Sequence, residues 1–541
     1  MSTKKNNYLK QAGILAIAGI LCRIIGILYR SPLTSIIGDE GNGYYTSAYN
    51  IYTIILLLSS YSIPSAVSKI IAEKLARKEY KNAQRIFRCA LGYVFVVGGA
   101  ASLFTFFGAG LFLEGEACVV LRVFAPTIFV SGFVGVLRGY FQAHGSMMQT
   151  SFSQIVEQIL NAVVSILAAY ALIGLVESKD TTTKAIYGAA GSALGTGSGV
   201  LIAFFFMLGV YFLNKNYIQR RIRHDHTRRN ESYPEIVKML FSMVTPIILS
   251  TFIYNFSTSF NQVVYTKVMI YAKGFTAAKA ATEYGVFSGK AMVIINIPIA
   301  IASAMSSTMI PTISASNALG NKKETNGKVE NAMFTTMLIA IPSAVGLGVL
   351  SRPIMQLLFP QRNSLDQAAF LLMCIAITVV FYSLSTLSNG ILQGIGKVNL
   401  PVRNAGIALA IQTILLICLL AFTDLNLYAL VICLIVYSLM MCILNSMSVR
   451  KCMGFKENFK KMFFMPLFAA AIMGASARLV YEGIYHLYPS NVIALVMALI
   501  VAVIVYFFAV LYLRVVTKEQ LQEIPYGNKI LKIARKMKLK L

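Results

Sequence analysis

Ser62-Ile63-Pro64-Ser65 and Gly139-Tyr140-Phe141-Gln142-Ala143-His144-Gly145 decide how this chain is built, because each has an echo in the second half. The first returns as Met309-Ile310-Pro311-Thr312, the second as Gly390-Ile391-Leu392-Gln393-Gly394-Ile395-Gly396. Pro64 and Gly139 stand 75 residues apart, Pro311 and Gly390 stand 79 apart, and the copies are offset by 247 and 251 positions. Two landmarks at one period describe a duplicated unit. In an apolar chain such a duplication belongs to carriers that hold cargo between two repeats and rock one against the other.

The chain is apolar. Of its 541 residues 57% are hydrophobic and 13% charged, and its mean hydropathy is +0.69. Soluble domains carry about 25% charged residues. Apolar runs of about 20 residues recur throughout, the length needed to cross a hydrocarbon core ~30 Å thick. The net charge of +27 sits in short segments between those runs. It therefore reads as topology signal and contact with anionic lipid, and not as a nucleic-acid surface. The eight cysteines fall almost all in apolar runs without CxxC or metal-ligand spacing, and read as small buried residues. Four histidines lie scattered in loops, and no HExxH, Walker or Ser-His-Asp arrangement is present. No enzyme activity, metal or cofactor is expected. Lys4, Lys5 and Lys10 precede the first apolar run, but no small-residue cleavage site follows, so that run is read as a spanning helix.

The expected fold is an all-α polytopic membrane protein. Fourteen spans are expected near 11–30, 45–72, 86–113, 118–141, 150–176, 186–213, 236–258, 284–314, 333–358, 367–393, 401–423, 426–449, 462–482 and 490–515. The first six form an N-terminal lobe, 1–213, and 214–235 is a basic cytoplasmic linker. The next six form a C-terminal lobe, 236–450, and 451–541 holds two appended helices and a basic tail. Loops rich in Lys and Arg alternate with acidic or neutral ones such as Asp39-Glu40 and Glu114-x-Glu116. By the positive-inside rule both termini are cytoplasmic. Lys267, Lys273 and Lys279 break the alternation and are read as helix-end or lumenal residues.

Charges inside the spans point to cargo. Arg23 lies about twelve residues into the first helix, roughly 18 Å deep at ~1.5 Å per residue. An arginine at such depth costs at least ~2.5–3.5 kcal/mol against lipid. It must face water, an acid such as Glu157, or a bound anion. Arg30 follows two turns later on the same face, where interfacial snorkelling would also serve. Glu157 is the one carboxylate well inside an apolar run, a candidate proton, ion or pairing site. Lys290 is expected to line a cavity, and Lys69 to snorkel at the inner surface. The surplus of cations favours an anionic cargo, because a guanidinium grips phosphate oxygens in a fork. Pro64, Gly139, Gln142, Pro311, Gly390 and Gln393 are the expected turn or gating positions.

Arg23 and Arg30, then Ile37-Gly38-Asp39-Glu40-Gly41-x-Gly43-Tyr44, then Ile63-Pro64-x-Ala66-Val67-Ser68-Lys69 resemble the flippase superfamily of multidrug extruders and polysaccharide exporters. Leu137-Arg138-Gly139-Tyr140-Phe141-Gln142 followed by Ser153-Gln154-x-x-Glu157-Gln158 resembles its stage V sporulation protein B branch, which is similar to the lipid II flippases of Gram-positive bacteria. The resemblance implies two six-helix lobes, alternating access, and a polyprenyl-pyrophosphate-linked sugar as cargo, lipid II in the first place. It further implies a pyrophosphate site at Arg23, Arg30 and Lys290, and a lipid-tail groove formed by the last two helices. Lys290 stands where those flippases usually show arginine, so a bidentate grip is lost there. The expected protein works as a monomer in the cell membrane, without a cofactor, with coupling to the membrane potential or to a sodium or proton gradient. The alternatives are an exporter of another lipid-linked polysaccharide precursor and a cation-coupled drug exporter. A membrane scaffold without cargo lies further off.

Overall fold

The computed structural model describes residues 2–61, 63–176, 180–225, 231–318, 322–397, 399–454 and 460–516. Every regular element among them is helical. The first compact unit, Met1–Gly289, holds α1 (Ser2–Leu56), α2 (Ile63–Ala76), α3 (Tyr80–Phe107), the single turn α4 (Ala109–Phe112), α5 (Cys118–Ala143), α6 (Met148–Leu175), α7 (Thr181–Arg223), α8 (Tyr233–Tyr271) and α9 (Ala277–Tyr284). The second, Lys290–Leu541, holds α10 (Met292–Ala318), α11 (Lys322–Val349), α12 (Ser351–Leu358), α13 (Arg362–Ile375), α14 (Thr378–Gly394), α15 (Asn399–Phe422), α16 (Leu427–Met453), α17 (Met465–Leu487) and α18 (Asn491–Tyr512).

Eleven helical runs among the described residues are long and apolar enough to cross a membrane, and α13 with α14, bent by 44°, makes a twelfth. One of the eleven, Leu21–Ala76, has 56 residues. At ~1.5 Å per residue that is far more than one crossing needs. Gly38, with φ 71° and ψ 178°, interrupts it, and the run takes in the second half of the first expected span and the whole of the second. The expected span 236–258 lies in α8, several of whose side chains are outside the described set.

Within the linker expected over 214–235, residues 214–223 and 233–235 are helical. Asn214 to Arg223 contains no Gly or Pro and is rich in residues that favour helix. As a result α7 runs 43 residues without a break. Asp180 caps its start, accepting from the backbone N–H groups of Thr182 and Thr183. The Thr183 hydroxyl and these N–H groups hold the Asp180 carboxyl below the usual carboxylate range. Arg220, Arg221 and Arg223 occupy the last turn, where the helix dipole favours cations.

Beyond α7 the chain is clamped to the α2–α3 turn. The Lys81 backbone N–H donates to Asp225 at 2.5 Å, and the Arg85 guanidinium donates to the Glu231 carbonyl at 2.8 Å. The buried Lys74 ammonium pairs with Glu231 and, at 3.3 Å, with Glu79. A hydrogen bond from Asn82 foremost, and then the Lys74 ammonium, keep the Glu79 carboxyl below its usual range, so it stays charged at neutral pH.

The two sequence landmarks of the first unit touch each other. A Cβ added at Gly139 would stand 2.7 Å from the Pro64 carbonyl oxygen. Glycine alone therefore lets α5 lie this close to the start of α2. The GxxQxxG segments end α5 and α14 in the same way. At the first, Gly145 N–H reaches the Gln142 carbonyl at 2.9 Å and Ser146 N–H the Phe141 carbonyl at 3.0 Å. At the second, Gly396 N–H reaches Gln393 at 3.0 Å and Lys397 N–H reaches Leu392 at 2.8 Å. Gly145 and Gly396 have φ of 77° and 78°. Both turns are Schellman motifs, with glycine at the left-handed position. In the second unit α10 packs on α14 and Gly390 is buried in α14, while the Pro311 side chain lies outside the described residues. Of the eight cysteines only Cys118 and Cys433 are buried, and Cys418 and Cys452 are exposed. Being apolar enough for a spanning helix does not place a side chain on its inward face.

Candidate functional site

The site grows from the first half of α1. Tyr29, Leu33 and Ile37 recur at helical spacing and pack with Ala162 and Ala169 of α6. One turn earlier, a Cβ at Gly26 would lie 3.2 Å from the Gln158 amide nitrogen. Arg30 follows Tyr29 of this stripe by one position, about 100° round the helix, and Arg23 lies two turns earlier on the same face as Arg30, so both lie along its flank. Arg23 is exposed and Arg30 half-buried.

Arg30 is backed by aromatic rings. Its guanidinium stands 5.7 Å from the centroid of Tyr45, which is 1% exposed. Tyr45 stacks on Tyr49 at 5.9 Å, and Tyr52 stacks on Phe124 at 4.8 Å. The Tyr45 hydroxyl meets Thr196 at 3.4 Å. The Thr196 hydroxyl donates to Asn161 at 3.3 Å, and the Ser165 hydroxyl donates to the same oxygen at 3.0 Å. This seam joins α1, α6 and α7 and leaves the Arg30 guanidinium over a ring face, an arrangement worth ~0.5–2 kcal/mol.

Glu157 pairs with Arg138, at 2.6 Å, and not with Arg23. Arg138 also donates from Nε to the Ser153 hydroxyl at 2.9 Å. Sequence reasoning quoted Arg138 within a motif and gave it no role. The available signal was two opposite charges on either side of the turn at Gly145, each inside an apolar run.

Lys290 belongs to the second unit and is fully buried. Its ammonium donates to the Ser364 hydroxyl at 2.8 Å and lies 5.9 Å from the Phe359 ring centroid. The same unit contains an apolar cavity of about 630 Å³ lined by Ile297 and Pro298 of α10, Leu338 and Pro342 of α11, Met473 of α17 and Tyr506 of α18. The Tyr506 hydroxyl is satisfied by the Leu338 carbonyl at 2.8 Å, which keeps the cavity wall apolar. Among the described residues no three His, Cys, Asp or Glu side chains converge as a metal site.

The model of the Polysaccharide biosynthesis protein family matches residues 8–317, and that of the MatE family matches residues 284–418. The chain belongs to the polysaccharide biosynthesis protein family. Among curated relatives, it is 25% identical over 421 residues to the lipid II flippase MurJ of Bacillus subtilis, covering 74% of this chain and 75% of that one. It is 24% identical over 532 residues to the stage V sporulation protein B of the same organism, covering 97% and 99%. Among solved structures it is similar to the lipid II flippase MurJ in an inward closed conformation, with a TM-score of 0.62, 17% identity and coverage of 92% and 97%. It is likewise similar to an inward-facing multidrug transporter of the MOP superfamily, with a TM-score of 0.62, 16% identity and coverage of 80% and 94%. This member of the family is thus a multi-pass membrane protein that shares the fold of those solved structures.

Proposed function

We propose that this protein flips an undecaprenyl-pyrophosphate-linked saccharide, lipid II in the first place, from the inner to the outer leaflet by alternating access, for cell-wall or spore-cortex synthesis. One observation carries the reading. Two arginines share a flank of a membrane-spanning helix, and the Glu157 carboxylate is committed to Arg138. Among the described residues no carboxylate pairs with Arg23 or Arg30; a pyrophosphate would supply that charge, and guanidinium forks match its oxygens. Within the second unit, Lys290 contacts phosphate only if an oxygen of it takes the place of Ser364. The apolar cavity of the second unit, about 630 Å³, suits the polyprenyl tail. The lipid II flippase among its relatives supports this cargo.

The family's description favours, as a second reading, another lipid-linked polysaccharide precursor. An exporter of cationic drugs is disfavoured, since it needs a free carboxylate where this site presents guanidinium groups. The protein acts as a monomer, holds anionic lipids at its basic loops, and draws on the membrane potential or an ion gradient.

Purified protein in liposomes should translocate labelled lipid II, and should not translocate a labelled phosphatidylcholine. Failure with lipid II and success with another undecaprenyl-pyrophosphate saccharide would select the second reading. Orientation is tested separately, in a cysteine-free chain. A cysteine at position 115 should react with an impermeant maleimide in intact cells and one at 223 should not; the reverse pattern would invert the topology.

A further inference from the structure

Arg138 and Glu157 remain unused by this reading. They form a short ion pair between α5 and α6, with the side chains 14% and 28% exposed. A structural staple is not needed at this place. Only residues 144–147 separate the two helices, and the Schellman turn at Gly145 already fixes that hairpin. Charges this deep are costly unless paired, so a pair kept without a structural need asks for another use.

Its location supplies one. A Cβ at Gly26, one turn from Arg23 on α1, would lie 3.2 Å from the side-chain amide of Gln158, the neighbour of Glu157 on α6. Asn161, which receives the polar seam from Tyr45 and Thr196, lies one helical turn beyond Glu157 on the same face of α6. The pair therefore borders the arginine flank of α1.

We propose that Arg138 is a third anion-contacting guanidinium of this site and that Glu157 is its resident counter-ion, displaced by the phosphate oxygens of the cargo. With the site empty, Glu157 and Ser153 satisfy Arg138. With cargo present, Arg138 turns to the phosphate, and its return to Glu157 competes with the cargo and helps release it. Specificity follows, because an uncharged head group gains nothing from Arg138 and leaves the pair closed. The inference rests on the pyrophosphate reading of Arg23 and Arg30.

The test uses the purified full-length chain in detergent, with undecaprenyl pyrophosphate in mixed micelles as probe and undecaprenol as its uncharged counterpart. Glu157→Gln should bind undecaprenyl pyrophosphate about tenfold more tightly, since a charged competitor becomes a neutral one. The double variant Arg138→Gln/Glu157→Gln should lose that gain. Ser153→Ala, which loosens Arg138 without changing charge, should give a smaller gain and serves if Glu157→Gln does not fold. Undecaprenol binding should be equal in all of them. Unchanged pyrophosphate affinity in Glu157→Gln and Ser153→Ala, or an equal gain for undecaprenol, would overturn the proposal. Arg23→Ala separates the two readings. If it weakens binding while Glu157→Gln has no effect, only the role of Arg138 falls. If neither has an effect, the pyrophosphate site falls with it.

Discussion

Arg23→Ala should abolish flipping while leaving a folded, fully expressed protein. Arg23 lies within a spanning run and is exposed on the flank of α1. The nearby carboxylate, Glu157, is bound to Arg138 at 2.6 Å. At the depth expected from the sequence, an arginine costs at least ~2.5–3.5 kcal/mol against lipid, and alanine removes that cost. The melting temperature should hold or rise. Transport should fall by at least about a hundredfold, because two charge-assisted hydrogen bonds are lost together. Arg23→Lys should keep partial activity, since an ammonium supplies the charge without the fork. The measurement is lipid II translocation in liposomes beside a thermal melt of the same preparation. Normal transport by the alanine variant would remove the anionic-cargo mechanism.

Gly139→Ala should show the opposite pattern, a loss of stability that precedes any loss of transport. The new methyl group would sit 2.7 Å from the Pro64 carbonyl oxygen and 3.0 Å from the Pro64 Cα. Backbone atoms cannot rotate away as a flexible side chain would, so α2 and α5 must separate. Overpacking of this kind costs about 1–3 kcal/mol. Gly92→Ala is the matched control, in the middle of α3 with nothing within 4 Å of the added carbon. It should be neutral or stabilising, by up to ~1 kcal/mol from helix propensity. A thermal melt compares them, and equal melting temperatures would show that the Pro64–Gly139 contact has slack.

The contrast between these residues explains what the chain disclosed before it was folded. Gly145 and Gly396 adopt the same left-handed turn, which almost only glycine tolerates, so the geometry leaves a mark in the sequence at each copy. Span content was legible for a similar reason, since lipid selects residue type directly. The partner of Glu157 was not legible. Arg138 and Glu157 are 19 positions apart, and which charge meets which depends on how two helix faces rotate about a turn. Nor did hydropathy reveal that Lys290 is sealed against Ser364, because an apolar run looks alike whichever face its one cation occupies. The extension of α7 was hidden by the opposite bias. Lys and Arg read as loop in a membrane chain, although they favour helix as well as most residues do.

The clamp beneath α2 and α3 has a consequence in time. Lys74, Lys81 and Arg85 count among the charges that would keep this part of the chain on the cytoplasmic side during insertion, when the segment around Asp225 and Glu231 has yet to emerge. In the folded protein the same side chains are held by Glu79, Asp225 and Glu231. On the proposed orientation, one set of cations first acts on the insertion machinery as free charge and later fastens the link between α7 and α8. Asp225 and Glu231 come more than a hundred positions downstream of these cations, so while the α2–α3 turn is being placed Lys81 and Arg85 lack those partners and Lys74 meets Glu79 alone.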